Sequence, residues 1–447
     1  MKTVITYGSF DLFHEGHHNL LKRAKALGDK LIVGVTTEQF DIYRGKLNVV
    51  DSLMRRVDRV RQTGFADEII IEDHEGQKIE DIQKYKADII VFGSDWVEKC
   101  NYLNKYCEVV YLERTKNVSS TILRHERSGI IRLGIVGTGR IAERFMQETK
   151  FVSGVDVAGV FNPRTESAKK FGKKYEVQPY FEDFDGFLKQ MDAIYVATPH
   201  DTHYEYICKA LLFKKHVLCE KPMALSKRDV EALFHIAFEN KVVLMEAIKT
   251  AYAPGFIKLL SIAESGRIGN IYDVEAAFTK LIPYDPDIRE YNPTVGGSFT
   301  ELASYSVLPI VKLLGNNYQS LDFESFLAEN CADIYTKARF KYDNAIATAK
   351  TGIGVKSEGQ LLISGTKGYI LVKSPWWLLK SFDVCCENIH ENETFSAPFP
   401  GFGLRYELAD FIRNISDPTH RNFKFSKEDS IFMSVVIENF LKYAHRR

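Results

Sequence analysis

The chain has 447 residues, 45% apolar and 26% charged, the composition of an ordinary folded protein with room for two or three domains. Its 59 basic and 59 acidic residues cancel, so no global field draws in nucleic acid or an anionic membrane, and any anion chemistry must use local clusters. Seven scattered cysteines without a C-x-x-C argue against a disulfide framework and a structural zinc site, and the apolar runs are too short for a signal peptide or for the roughly 20 residues that span a bilayer, so a reducing cytoplasmic setting is expected.

Along the chain the same pattern begins twice. KTVITY (Lys2–Tyr7) is a short β-rich run leading into a glycine and a helical stripe of Leu20, Leu21, Ala24 and Leu27 that stops at Gly28. LIVGV (Leu31–Val35), ADIIVFG (Ala87–Gly93) and CEVVYLE (Cys107–Glu113) are apolar runs of the kind buried in parallel sheets, so the first segment is expected to be a small doubly wound α/β domain. The polar RHERSG (Arg124–Gly129) reads as a linker, with a boundary near residue 128. Ile130–Val136 then restarts the alternation, continued by Val155–Phe161, Ala193–Ala197 and His216–Cys219. After about residue 250 strand-like runs follow one another (IYDVEAAFTK, YTKARFKYD, AIATAKTG, QLLISG, GYILVKS), which predicts an α+β domain with a mostly antiparallel sheet. The expected domains are 1–127, 129–250 and 251–447.

HEGHH (His14–His18) falls where the first strand gives way to the first helix. His14 and His17 can share a helix face, but no further ligand shows metal spacing and the stretch is not H-E-x-x-H. Phosphate chemistry fits better: free backbone N–H groups and the helix dipole favour an anion, Gly16 lets it approach, and imidazole N–H groups can meet charge that builds during displacement. GSFDLFHEGHHNLL resembles the H-x-G-H nucleotidyltransferases, specifically the glycerol-3-phosphate cytidylyltransferase group. RGK, GQK, GSDW and RTKNVSST continue the resemblance in the family's order over essentially residues 1–125, while Ser94, Asn117 and Thr63 depart from it.

The resemblance implies attack by a substrate phosphate oxygen on the α-phosphorus of CTP, with Mg²⁺ and loss of pyrophosphate. It assigns His14 and His17 to the transferring phosphoryl group. Ser9, Phe10, Glu15, Gly16, Lys46, Arg114, Thr115, Ser119, Ser120 and Thr121 go to the nucleotide, and Arg44 and Lys78 to the acceptor phosphate. His18 is left without a role. Thr63, where relatives commonly carry arginine, points to an acceptor other than glycerol 3-phosphate itself.

LGIVGTGRIAERF contains G-x-G-x-x-A after a strand and at a helix start, the context of a dinucleotide site. Asn162 and Arg164 stand where an NAD enzyme places its ribose-binding acid, which tilts the expectation to NADP over NAD. VATPHDTH, the E-K-P of Glu220–Pro222 and GGSFTELASYSV resemble the glucose–fructose oxidoreductase/inositol dehydrogenase (Gfo/Idh/MocA) family over about residues 130–445. If helical, the last stretch places Glu301 and Tyr305 on one face. The resemblance implies Lys221, Tyr305 and Glu301 as catalytic residues. It gives Gly137, Thr138, Gly139, Arg140, Ile141, Asn162, Arg164, Thr198, Pro199, His203 and Glu220 to the cofactor. Glu301 and Ala303 replace the family's Asp and Gly.

Together these imply a bifunctional enzyme, dimeric in keeping with both families, that reduces a sugar phosphate and activates a polyol phosphate as its CDP derivative for a surface polymer such as teichoic acid or capsule. The alternatives are a cytidylyltransferase with a non-catalytic dinucleotide module, and a scaffold without turnover.

Overall fold

The computed structural model describes residues 2–97, 99–113, 130–417, 419 and 422–444. The expected linker and boundary, and the block with Arg114, Thr115, Ser119, Ser120 and Thr121, lie outside them. By Cα proximity the chain divides into two units, residues 1–134 with 146–192, and residues 135–145 with 193–447. No helix among the described residues is long and apolar enough to cross a membrane.

The first sheet consists of β1 (Thr3–Gly8), β2 (Lys30–Thr36), β3 (Glu68–Glu72), β4 (Ile89–Gly93) and β5 (Glu108–Leu112), all parallel and ordered β3-β2-β1-β4-β5. Leu21, Val33 and Val57 belong to an apolar cluster on one face, and Ile32, Ile82 and Phe92 to one on the other. Chain order reverses on either side of β1, and in such sheets ligands bind beyond the carboxyl end of the strands at that reversal. The turn after β1 carries Ser9–His14 into the helix Glu15–Lys25, so topology alone puts HEGHH at the predicted ligand end.

The second sheet contains β6 (Ile131–Val136), β7 (Val155–Phe161), β8 (Tyr180–Phe181), β9 (Ala193–Val196), β10 (His216–Glu220) and β11 (Leu244–Ala247). Its order, β11-β10-β9-β6-β7-β8, is that of a dinucleotide-binding fold, with the reversal at β6 and β9.

The third sheet has β12 (Ile271–Thr279), β13 (Ser320–Leu327), β14 (Asp333–Lys341), β15 (Ile346–Gly352), β16 (Leu361–Gly365), β17 (Gly368–Val372), β18 (Ser381–Cys386) and β19 (Glu393–Ser396). The order is β13-β14-β15-β12-β16-β17-β18-β19, antiparallel except for the parallel β12–β15 pair. The helix Gly297–Leu314 packs against β12, β14 and β15. Asp333 of β14 secures its start, accepting hydrogen bonds from Phe299 N at 3.0 Å and Ser298 Oγ at 2.6 Å.

The alternating runs predicted both α/β sheets and the mostly antiparallel third one. They did not reveal β3, β8, β11, β13, β18 or β19. All but β18 are sheet edges, each with one neighbour, where a long apolar run is not required.

Candidate active sites

In the first unit, His14 is the N-cap of the helix Glu15–Lys25. Its Nδ1 accepts from Gly16 N at 3.1 Å, while His17 Nδ1 accepts from His14 N at 3.4 Å, a reciprocal capping box built from two imidazoles. With both Nδ1 atoms accepting, the hydrogen of each neutral ring is assigned to Nε2. The rings stack with centroids 4.0 Å apart, presenting two donors side by side at a helix N-terminus. Burial, with help from His14 and Lys46, holds His17 well below the usual imidazole range, so it is neutral at pH 7. A Cβ on Gly16 would lie 2.8 Å from the His14 ring, so this glycine is needed for the cap as well as for ligand approach. His18 packs instead against Phe65.

The turn before the histidines is strained and braced. Phe10 and Leu12 have φ of 52° and 44°, in the left-handed region that non-glycine residues avoid. Asp11 accepts from Val50 N and Asp51 N, and Asp51 accepts from Leu12 N. The Phe10 side chain is buried edge-on against His17, so of this residue only the backbone could meet a ligand. Lys46 Nζ donates to Ser9 Oγ, and burial lowers its pKa.

Sequence reasoning missed Arg56. Its side chain is fully buried and donates to the carbonyls of Ser9 and Thr36 at 2.8 Å and of Asp51 at 3.0 Å, with Asp41 at 3.6 Å. One guanidinium thus pins the ends of β1 and β2 and the 50–51 segment. Arg44 and Lys78, thirty-four positions apart in the chain, converge on a carboxylate that the sequence also did not single out. Lys78 Nζ pairs with Glu72 Oε1, and Arg44 Nη1 lies 3.7 Å from Glu72 Oε2.

In the second unit the loop after β6 meets the loop after β9. Gly137 has φ 96°, and a Cβ there would sit 2.5 Å from the Ala197 carbonyl oxygen. A Cβ on Gly139 would meet nothing within 4 Å. The first glycine is therefore demanded by the fold, while the second leaves open space at the start of the helix Arg140–Thr149. That cradle fits a dinucleotide pyrophosphate. Thr138 and Ile141 flank it in sequence, and Arg140 pairs with Glu290 at 3.0 Å. In the first unit Asn162 Oδ1 accepts from Arg164 N at 2.9 Å, and Arg164 is exposed.

Lys221 Nζ donates to the Glu301 carbonyl at 2.8 Å and lies 5.8 Å from the Tyr305 ring centroid. Glu301 and Tyr305 share the helix Gly297–Leu314, as their spacing predicts. The Glu301 carboxylate also meets Arg289 at 3.3 Å and His200 Nδ1 at 3.8 Å. His200 and Arg289 are additions from the structure; His200 stood in plain view in TPHDTH, whereas Arg289 carries no local signal. Burial holds the Tyr305 phenol well above its ordinary value, so it keeps its proton, and holds His200 well below the imidazole range. Glu220 accepts from Tyr195 at 2.6 Å, and burial raises its pKa.

His203 is enclosed, its ring nitrogens 2.8 Å from the Pro222 carbonyl and 2.9 Å from the Thr198 carbonyl. It braces the two site loops, and burial lowers its pKa to about 4. Thr198 is tied further to Thr202, whose hydroxyl donates to it at 2.8 Å and also bonds the Pro199 carbonyl.

These folds and sites define the class: a nucleotidyltransferase joined to an NAD(P)-binding oxidoreductase. The chain belongs to the cytidylyltransferase-like family, whose model matches residues 5–126. Residues 131–248 match the model of the oxidoreductase family with an NAD-binding Rossmann fold. Glycerol-3-phosphate cytidylyltransferase of Bacillus spizizenii is 45% identical over 130 residues, 29% of this chain and 100% of that relative. An NADP-dependent scyllo-inositol 2-dehydrogenase of Bacillus subtilis is 29% identical over 201 residues, 42% of this chain and 59% of its own length. Among solved structures, a 3-ketoreductase from Actinomadura kijaniata in complex with NADP and TDP-benzene shares the fold, with a TM-score of 0.62 and 22% identity over 69% of this chain and 96% of that one.

Proposed function

We propose that the chain makes a CDP-activated polyol. In the first reaction an acceptor phosphate oxygen attacks the α-phosphorus of CTP, a bond to phosphorus forms, and the bond to pyrophosphate breaks. A phosphate monoester is nucleophilic at neutral pH, so positioning and charge neutralisation are the main tasks. The Nε2–H groups of His14 and His17 donate to the transferring phosphoryl group and the departing pyrophosphate. Lys46, held by Ser9, meets the nucleotide, and Arg44 and Lys78 meet the acceptor. Magnesium would accompany the triphosphate and neutralise charge on the departing pyrophosphate. The stacked, neutral imidazole pair at the reversal of the first sheet carries this reading most strongly.

The second reaction reduces a sugar phosphate carbonyl. The reduced nicotinamide cofactor, NADPH by preference, supplies hydride. Lys221 donates a hydrogen bond to the reacting oxygen, and Tyr305 supplies the proton that completes the alcohol. Asn162 and the exposed Arg164 favour the 2′-phosphorylated cofactor. The product is a polyol phosphate, the class of acceptor that the first site consumes, for a surface polymer such as teichoic acid or capsule. The setting is the cytoplasm. The working form is a homodimer; Phe326, Ile346 and Tyr272 leave apolar area exposed on the third sheet, which supports self-association.

The test is a substrate panel: CTP with polyol phosphates, read as pyrophosphate, and NADPH with aldose and ketose phosphates, read as cofactor oxidation. Both signals are expected. Pyrophosphate alone across a broad panel would reduce the second half to a binding module, and neither signal would leave a scaffold.

A further inference from the structure

Glu72 closes β3, with only 1% of its surface exposed. One oxygen pairs with Lys78 and the other faces Arg44 at 3.7 Å. Each cation has a second restraint. Lys78 lies over the Tyr7 ring at 4.7 Å, and Tyr7 is anchored by its hydroxyl to Asp81 at 2.9 Å. Arg44 bonds Asp41 at 3.2 Å and stacks over Phe40 at 4.8 Å. The arrangement also has slack in one place. Glu72 Oε2 and Arg44 Nε are both buried without a hydrogen-bond partner, and Oε2 faces Arg44 Nη1 across a gap longer than a hydrogen bond. A small rotation of the guanidinium closes it.

Long cationic side chains lose rotamer freedom when fixed, so ordering them before the ligand arrives improves binding. We propose that Glu72 is the positioning residue that sets the spacing of Arg44 and Lys78, and that it thereby selects for the phosphate of the acceptor without affecting CTP. This rests on the assignment of those two cations to the acceptor. Glu72 reaches the site from an edge strand, and its ion pairs are with Lys78 and Arg44 rather than with the histidines or Lys46, so its removal acts on one ligand alone.

Calorimetric titration of the full chain with ribitol 5-phosphate, and separately with CTP, tests the proposal. Glu72→Gln is expected to weaken ribitol phosphate binding tenfold or more and to leave CTP within twofold of wild type. Glu72→Asp, which keeps the charge but shortens its reach, is expected to fall between the two and decides the matter if Glu72→Gln does not fold. Equal weakening of both ligands, or no weakening, overturns the proposal. So does tighter ribitol phosphate binding, which would make Glu72 a competitor of the ligand. Arg44→Ala and Lys78→Ala test the underlying assignment: if both bind ribitol phosphate as wild type does, or if wild type binds none, that assignment fails and the proposal with it. If they lose binding while Glu72→Gln does not, only the role of Glu72 is wrong.

Discussion

At the scale of single residues, the two histidines and the lysine of the second site make opposite predictions. Removing a preorganised donor from a charge-developing step costs about 10²–10³ in rate. His17→Ala should therefore lower pyrophosphate release by about that factor while NADPH titration stays unchanged. Lys221→Ala should lower NADPH oxidation by about 10²–10⁴ and spare pyrophosphate release. A near-wild-type transfer rate in the first variant, or lost CTP chemistry in the second, contradicts the assignments. His14, His17 and Lys221 could be singled out because they sit in short stretches that follow strand ends, and Tyr305 because its spacing from Glu301 places both on one helix. Arg56, Glu72 and Arg289 were not. Each acts by reaching groups far away in the chain, and a buried arginine bonded to three carbonyls looks in sequence like any surface arginine.

At the scale of elements, the loops between strands and helices carry separable fold and ligand demands. Gly137→Ala forces a side chain against the Ala197 carbonyl in a left-handed conformation and should cost about 1–3 kcal/mol of stability. Gly139→Ala meets no protein atom, so it should melt like wild type yet lose NADPH affinity as its methyl enters the pyrophosphate space. Calorimetry with cofactor titration separates the two; a stable Gly137→Ala, or a Gly139→Ala that binds NADPH normally, contradicts this reading of the cradle. Arg56→Met should destabilise the first unit by about 3–5 kcal/mol, because it leaves buried carbonyls and Asp41 without their partner.

His203 gives a pH test at the same scale. The unfolded chain binds its proton near pH 6.5, whereas burial delays this in the folded state to about 4. Stability is therefore full above pH 6.5 and lost as pH falls towards 4, by about 3 kcal/mol from this group. Glu246, raised to about 7 by burial, works in the opposite sense, losing its stabilisation as pH rises from 4.5 through 7. The informative quantity is thus the difference between wild type and His203→Asn. The wild type should lose more stability between pH 6.5 and 4, and parallel curves would contradict the enclosed, neutral ring. Strands with long apolar or alternating runs were legible, and most of those that were not lie at sheet edges. β3, the edge strand that delivers Glu72, shows that such omissions reach the site itself.

At the scale of the whole molecule, the two beginnings in the chain correspond to two parallel sheets, each with its site at the carboxyl end of the strands where chain order reverses. On the proposed reading, one site handles phosphate with histidine donors and clustered cations, and the other holds a dinucleotide beside a lysine and a protonated tyrosine. Neither architecture names its substrate, because recognition of the sugar or polyol depends on groups that only meet after folding. What links them is chemistry: reduction of a ketose phosphate yields the kind of alcohol phosphate that cytidylyl transfer consumes.

The most direct test supplies the protein with CTP, Mg²⁺, NADPH and ribulose 5-phosphate, as a five-carbon ketose phosphate, together with a panel of other aldose and ketose phosphates, and follows CDP-linked product by mass spectrometry. The account predicts a CDP-polyol two mass units heavier than the cytidylyl adduct of the unreduced sugar. It should be lost in both His17→Ala and Lys221→Ala and restored to Lys221→Ala by adding the polyol phosphate. No CDP-polyol from any member of the panel, or formation that persists in Lys221→Ala without added polyol, would contradict it.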